Sequence, residues 1–431
     1  DSRAAFVDVG SERMHVSIAG DTPVVFGTVT TQLHALRDWL LSHGVRAVAM
    51  EATGVYWMPL YSVLEAAGLE VSMVNGKQIK NLPGRKTDMV DCQWGSTLHA
   101  YGLLRAGFVP PADIRRLQDY MRLRGDHITM AASHVQHMQQ ALERMNVKVH
   151  DTIASLTGVS GMAMVRAILK GERDPERLLQ LCDVQIQRRK ADRIKESLRG
   201  TWAPEHLFAL RQAVQSWDHY QAQIADCDRA IAEVLPTPTD DDTGGRGTRR
   251  SCPGVNAPDI DDLHRILRSM CHGHDLTQLP AHTEYSVLQL VAETGTDLSK
   301  WPTAKHFTSW AGVAPGCKQS GKRRGRVKCK RNRVGRLFCV MARSLARSKN
   351  IGLGAFYRRL SARRGGLVAN TALARKLAEL YWRVMVHGLE YVEEGLVRYE
   401  EKLQRTKEQA LQRLARQLGR ALMPVQEACA V

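Results

Sequence analysis

The apolar positions change their period twice along the chain. Up to residue 108 they come in short runs. "RAAFVDV" at 3–9, "RMHVSIA" at 13–19 and the stretch 21–30 ending "TPVVFGTVT" predict three strands with turn chemistry between them. "QLHALRDWLLSHG" has helical spacing and stops on a glycine. "VRAVAM" at 45–50 reads as a buried strand, "YWMPLYSVLEAAG" as a helix, "LEVSMV" as another strand, and a further helix covers 86–105. Three strands followed by alternating helix and strand predict a mixed α/β layer with helices on its faces.

After "VPP" at 109–111 the period lengthens. Ile114, Leu117, Met121, Arg124, Ile128, Ala131, Val135, Met138, Leu142 and Met145 alternate spacings of three and four, a heptad seam spoiled by Arg124 alone. A second long helix near 203–235 carries Leu207, Leu210, Val214, Trp217, Ile224 and Ile231, with Gln221 and Asp228 interrupting. The pair fits either an intramolecular hairpin or a coiled coil between subunits. Between them, "LTGVSGMAMVRAILKGERDPERL" opens on a glycine turn that suits a plain helix cap or a backbone-binding hairpin equally. The resulting plan is an α/β domain over 1–108, a helical coiled-coil region over 109–235 and a Pro-, Gly- and Asp-rich linker over 236–258. A mainly α domain over 259–370 follows, then a charged helical tail over 371–431 that lies on the surface or binds a partner.

Charge narrows the partners. A net charge of +17 and a pI near 9.7 favour a polyanion, and nucleic acid is the usual one. No window approaches the ~18 continuous apolar residues of a spanning helix, so no membrane is expected. "DSRAAFVDVG" lacks a signal peptide's basic-then-apolar order. Nine scattered cysteines without repeated C-x-x-C pairing read as reduced, cytoplasmic residues. "CHGH" gathers Cys271, His272 and His274, but no second ligand cluster follows to complete a zinc site.

Two constellations carry candidate chemistry. Asp8 sits inside an apolar strand, where a carboxylate is costly unless it meets a cation or a hydrogen-bond partner. Glu51 directly follows another apolar strand, and Asp88 and Asp91 share one face of a helix start. Taken alone, the helical pair also suits a surface charge complementing the helix dipole. If the strands are neighbours and the helix crosses their ends, four carboxylates converge, and such a set suits Mg²⁺ or Mn²⁺. Two ions about 4 Å apart could hold a scissile phosphate with its attacking and leaving oxygens.

The second constellation is "KQSGKRRGRVKCKRNRVGR" at 318–336. Its Lys318, Lys322, Arg323, Arg324, Arg326, Lys328, Lys330, Arg331, Arg333 and Arg336 cannot form a core and must face solvent or phosphate. Within it Ser320 precedes Gly321, which lets backbone approach a ligand closely. By itself the hydroxyl is either a nucleophile beside charge-neutralising arginines or a simple phosphate donor.

The motifs "FVDVG", "MEATGVYW", "GRKTDMVDCQW" and "GFVPP", followed by a long helical stretch, resemble the insertion-sequence recombinases with a RuvC-like DEDD domain. "ETGTDLSKWPTAKHFTSWAGVAP" and "QSGK" resemble the same family's C-terminal serine transposase domain. The resemblance spans most of residues 1–400 and departs from the usual pattern at "VDVG", at Gly316 and Cys317, and in the linker and tail. It implies an RNase H-like (RuvC-like) α/β fold for the first domain, with Asp8, Glu51, Asp88 and Asp91 as its carboxylates. It further implies that Ser320 attacks DNA to form a 5′-phosphoserine link, and that a noncoding bridge RNA selects target and donor duplexes by pairing. A homo-oligomer, dimer or tetramer, is expected, with the two sites meeting from different subunits. The alternative is a metal-dependent, structure-selective nuclease of the Holliday-junction resolvase type, in which Ser320 only binds phosphate. A non-catalytic nucleic-acid scaffold is the third reading.

Overall fold

A computed structural model describes residues 3–51, 54–79, 87–238, 254, 256–321, 323–326, 330–348, 352–389, 404–405 and 408–420. At 77, 317–320 and 323–326 it describes backbone only. The chain divides into two compact units, Asp1–Val109 and Pro110–Val431.

The first unit is built on one sheet. In chain order it runs β1 (Ala4–Val9), β2 (Arg13–Ile18), β3 (Val24–Gly27), α1 (Thr30–Ser42), β4 (Ala47–Glu51), α2 (Trp57–Ala66), β5 (Glu70–Val74), α3 (Asp88–Ala100) and β6 (Ala106–Gly107). The strand order is β3-β2-β1-β4-β5-β6. β1, β4 and β5 are parallel, while β2, β3 and β6 run antiparallel to their neighbours. This mixed order agrees with an RNase H-like domain.

Side chains alternate across the sheet, so each strand serves two layers. Ala5, Val7 and Val9 of β1, with Val48 and Met50 of β4, pack under Leu33, Leu36 and Leu40 of α1 and Leu60 and Leu64 of α2. Phe6 and Ala49 point the other way, into a smaller cluster with Cys92 of α3. α3 ends earlier than the span 86–105 suggests. Gly102, at φ +70°, closes it and leads the chain to β6.

The second unit begins with α4 (Ala112–Arg144), followed by α5 (Val149–Thr152), α6 (Val159–Leu169), α7 (Pro175–Gln180), α8 (Val184–Ser197) and α9 (Pro204–Val234). α4 and α9 pack along their length within one chain. Arg124 and Asp228, each an interruption when its own helix is read alone, meet across that contact as a buried ion pair. Gln221 is exposed and outside the seam. α6, α7 and α8 build an apolar cluster at one end of the pair, around Met162, Val165, Ile168, Leu178 and Ile194. Gly161 of the "GVSG" turn lies where a Cβ would collide with the Leu156 carbonyl, so close packing alone accounts for that glycine.

Then come α10 (Leu263–Met270), α11 (Glu284–Thr294), α12 (Ala304–Trp310), β7 (Cys317–Ser320), β8 (Arg323–Arg326), α13 (Arg333–Ala346), α14 (Gly352–Arg364) and α15 (Gly366–His387). Within the 236–258 linker assignment, residues 239–253 and 255 lie outside the described residues. The surface tail placed at 371–431 needs correction. α15 runs straight through position 371, and Leu373, Ala374, Leu377, Ala378, Tyr381, Trp382, Val384 and Met385 are buried core. Arg375, Lys376, Glu379 and Arg383 alternate with that stripe and give the segment its charged look. Beyond 389 the assigned tail is described only at 404–405 and 408–420.

Candidate active site

The acidic site follows from strand register. In the parallel β1–β4 pair Asp8 lies directly opposite Glu51, and in the antiparallel β1–β2 pair it lies opposite His15. Directly paired residues share a face, and Asp8 has the parity of Phe6, so all three side chains belong to the α3 side. Glu51 is the last residue of β4 rather than the first after it, and it is 6% exposed. Asp8 and His15 are half-buried.

α3 is fastened to that face by small residues. Gly95 has no room for a Cβ, which would sit 2.7 Å from the Phe6 ring. The Cys92 thiol donates to the His15 carbonyl at 3.1 Å, and burial, with the nearby Asp8 charge also contributing, pushes it up to about 12. Ser96 donates to the Ser17 carbonyl and accepts from the Gly20 N–H, both at 3.0 Å. Thr87 caps the helix by accepting from the Val90 N–H. Asp88 and Asp91 therefore stand in the first turn of a helix clamped to β1 and β2, Asp88 exposed and Asp91 half-buried beside Cys92.

Register and helix packing thus bring the four carboxylates to one side of one sheet. No three of them present ligand atoms all within 4.8 Å of one another. The one such trio among the described residues is Glu143, His150 and Asp151, far along the chain. There Lys148 holds Glu143, lowering its carboxyl below the usual range, and His150 Nε2 lies 3.2 Å from the same carboxylate. That arrangement is an ion-pair cluster of Glu143, Lys148 and His150, in which the buried His150 Nδ1 has no hydrogen-bond partner among the described residues. Hard oxygen donors on the α3 face of the sheet suit a divalent cation better.

Ser320 was expected on a loop. Its backbone instead ends β7, which pairs with β8 in the register Cys317↔Arg326 to Ser320↔Arg323. Gly321, at φ +58°, opens the intervening two-residue turn, as such hairpins require. Lys318, Arg323, Arg324 and Arg326 lie on these strands as backbone, and Lys322 and Lys328 lie outside the described residues. Lys330, Arg331, Arg333 and Arg336 are exposed as the chain enters α13.

The base of this excursion is pinned. Asn332 donates from Nδ2 to the Trp310 carbonyl at 3.1 Å, while its Oδ1 accepts from the Gly335 N–H at 2.9 Å and caps α13. Gly312, at φ +73°, packs where a Cβ would strike the Lys330 carbonyl. Sequence reading had not singled out Asn332, Gly312, His15, Cys92, Gly95 or Ser96. For the last three, the run of small residues at i, i+3 and i+4 in "DCQWGS" was the available signal of close helix–sheet packing.

No helix is long and apolar enough to cross a membrane among the described residues. A family model for the IS110-type DEDD transposase domain, described as a transposase, matches residues 7–147. A second, described as the transposase of the IS116/IS110/IS902 family, matches residues 273–358. The first contains all four carboxylates and the second contains Ser320. No curated protein matches the chain. Two models of one family, in order and together over more than half of the sequence, place the chain in the IS110-type family of transposases, enzymes that recombine DNA.

Proposed function

We propose that this transposase cleaves and rejoins DNA strands of an insertion sequence through a covalent 5′-phosphoserine link at Ser320. In this reading a noncoding bridge RNA selects the target and donor duplexes. The supporting observation is the register that sets Asp8 against Glu51 on the face carrying the first turn of α3. Asp8, Glu51, Asp88 and Asp91 would hold Mg²⁺, or Mn²⁺, which when bound neutralises charge on the scissile phosphate.

The Ser320 Oγ forms a bond to phosphorus as the bond from phosphorus to the 3′ oxygen breaks. The serine proton ends on that oxygen as a 3′-OH. A 3′-OH from the second duplex then attacks the phosphoserine phosphorus, returning a proton to Oγ and exchanging strands. The basic residues from Lys318 to Arg336 hold the flanking phosphates. A homo-oligomer, dimer or tetramer, acting in the cytoplasm on the nucleoid, would let the serine of one subunit serve the acidic set of another.

The test is a denaturing gel of end-labelled DNA with the full chain, its copurified RNA and Mg²⁺. A protease-sensitive protein–DNA adduct, absent in Ser320→Ala and in Asp8→Asn while both retain RNA, supports the reading. Free 5′-phosphate ends from an active Ser320→Ala protein would replace it with the metal-only nuclease. Strand cutting by Asp8→Asn equal to that of the wild-type protein would remove the acidic site.

A further inference from the structure

The chain's positive charge is concentrated. Between Leu298 and Ala378 there are 21 lysines and arginines and no aspartate or glutamate, more than the whole net charge of +17. The serine hairpin and its exit, Lys318 to Arg336, hold ten of these residues. A second group lies at the α14–α15 turn, which the functional reading above leaves unused.

That turn combines features rarely found together on a solvated surface. Arg359, Arg363 and Arg364 are exposed near the end of α14, and none has an ion-pair partner among the described residues. Gly365, at φ +83°, then reverses the chain into α15. The next side chains are apolar and in water: Leu367 is 84% exposed and Val368 is 45% exposed. An isolated exposed leucine is ordinary, but a leucine at the tip of a turn flanked by three free arginines matches how proteins meet a nucleic-acid groove. The cations take phosphates while the apolar side chain presses against a base step.

The geometry also ties this tip to the serine hairpin. Thr371 Oγ1 donates to the Leu367 carbonyl at 2.9 Å and accepts from Arg331 Nη2 at 2.6 Å. Arg331 belongs to the basic segment leaving the hairpin, so one threonine hydroxyl joins the two surfaces. A second copy of this chain would present the same unbroken positive charge and repel, whereas a duplex held at the hairpin would continue onto this turn.

We propose that the α14–α15 turn is a second DNA contact, at which Arg363 and Arg364 grip the backbone and Leu367 enters the minor groove as a wedge. The inference rests on reading the Ser320 hairpin as the first DNA contact. The turn makes the bound duplex bend or unstack beside the hairpin, exposing the phosphate that is attacked.

The experiment uses full-length Ser320→Ala protein, so no chemistry is needed. Fluorescence anisotropy with a labelled duplex is measured across a salt series, and a duplex with 2-aminopurine in place of its adenines reports unstacking. With Arg363→Ala and Arg364→Ala together, the slope of log affinity against log salt should fall by about 2, and affinity at low salt by roughly tenfold. Leu367→Ser should keep the salt slope and lose the 2-aminopurine brightening seen with the parent protein. An unchanged slope in the arginine variant, or brightening equal to the parent's in Leu367→Ser, overturns the proposal. So does weakened binding to a structured RNA with DNA binding intact, or a change in native mass in Leu367→Ser, which would assign the surface to RNA or to a second copy. If instead Ser320→Ala proves to cleave DNA normally, the phosphoserine reading fails while the salt slope still decides this contact.

Discussion

Replacing Arg124 by methionine tests the energetics of the second unit most directly. Arg124 is 1% exposed. Its Nε donates to Asp228 Oδ1 at 2.6 Å and its Nη2 to Oδ2 at 3.3 Å, while Nη1 donates to the Asn256 carbonyl at 3.0 Å. The guanidinium carbon lies 5.1 Å from the centre of the Tyr285 ring. One cation therefore joins α4, α9, the end of the 236–258 linker and α11. Methionine fills most of the volume, so the cost is electrostatic. It leaves Asp228 buried, with the Asp259 N–H at 3.2 Å as its one remaining donor among those above. Stranding one partner of a buried pair costs about 3–5 kcal/mol. Losing the ring contact adds about 1 kcal/mol, and the Asn256 carbonyl is left short of a donor. We expect a loss of about 4–6 kcal/mol in urea unfolding followed by tryptophan fluorescence, confined to the second unit's transition. Adding Asp228→Leu should restore stability to within about 1 kcal/mol of wild type, because an apolar pair replaces the ion pair without a stranded charge. A single variant within ~1 kcal/mol of wild type, or a double variant less stable than the single, refutes the assignment.

Three further outcomes follow from the packing. Gly95→Ala places a methyl 2.7 Å from the Phe6 ring, so it should cost about 1–3 kcal/mol by overpacking. Because the shift falls on α3, it should also weaken Mn²⁺ binding, measured by calorimetry, at the carboxylates proposed to hold the ion; unchanged binding and stability together would refute the clamp. His282 is 5% exposed and stacked at 11° on Tyr381, and burial lowers its imidazole from 6.5 to about 4. The unfolded chain then binds the extra proton between those values, so stability is complete above pH 6.5 and falls as pH drops toward 4. The loss should be about 2 kcal/mol by pH 5, and His282→Phe should abolish it; an equal acid slope in that variant would point elsewhere. Asn332→Ala removes a helix cap and the bond to the Trp310 carbonyl, and should cost about 1–2 kcal/mol in urea unfolding while slowing strand joining relative to DNA binding. Equal effects on joining and binding would mean that the pin does not position the hairpin.

The first unit was legible because its signals are local. Each β-strand shows a period of two or a buried run, and each helix carries its own stop. The side of the sheet reached by Asp8 and Glu51 follows from parity once β1 and β4 are neighbours. What sequence reading could not supply was the fit of α3. Cys92, Gly95 and Ser96 look unremarkable alone, and their purpose appears only against Phe6, His15 and Ser17. The misreading of residues 371–387 has the opposite cause. Charges spaced between core residues raised the apparent polarity of α15, although its apolar positions recur at helical spacing and are buried.

The remaining gaps share one physical origin, which is that a polar residue's meaning depends on a partner distant in sequence. Arg124 and Asp228 each weaken a hydrophobic seam when read alone, and together they neutralise one another across 104 positions. The segment holding Ser320 is harder still. A strand normally reveals itself by an apolar face, and β7 and β8 read "CKQS" and "RRGR", with no face to bury. Their pairing is instead favoured by the glycine that opens the turn and by ends held together at Trp310, Gly312 and Asn332. A hairpin of that kind gains nothing from a hydrophobic core, and an isolated two-stranded ribbon is only marginally stable in water. Phosphates that neutralise its cations would therefore stabilise the same backbone arrangement that carries Ser320, which on the proposed reading couples formation of the serine hairpin to the presence of nucleic acid.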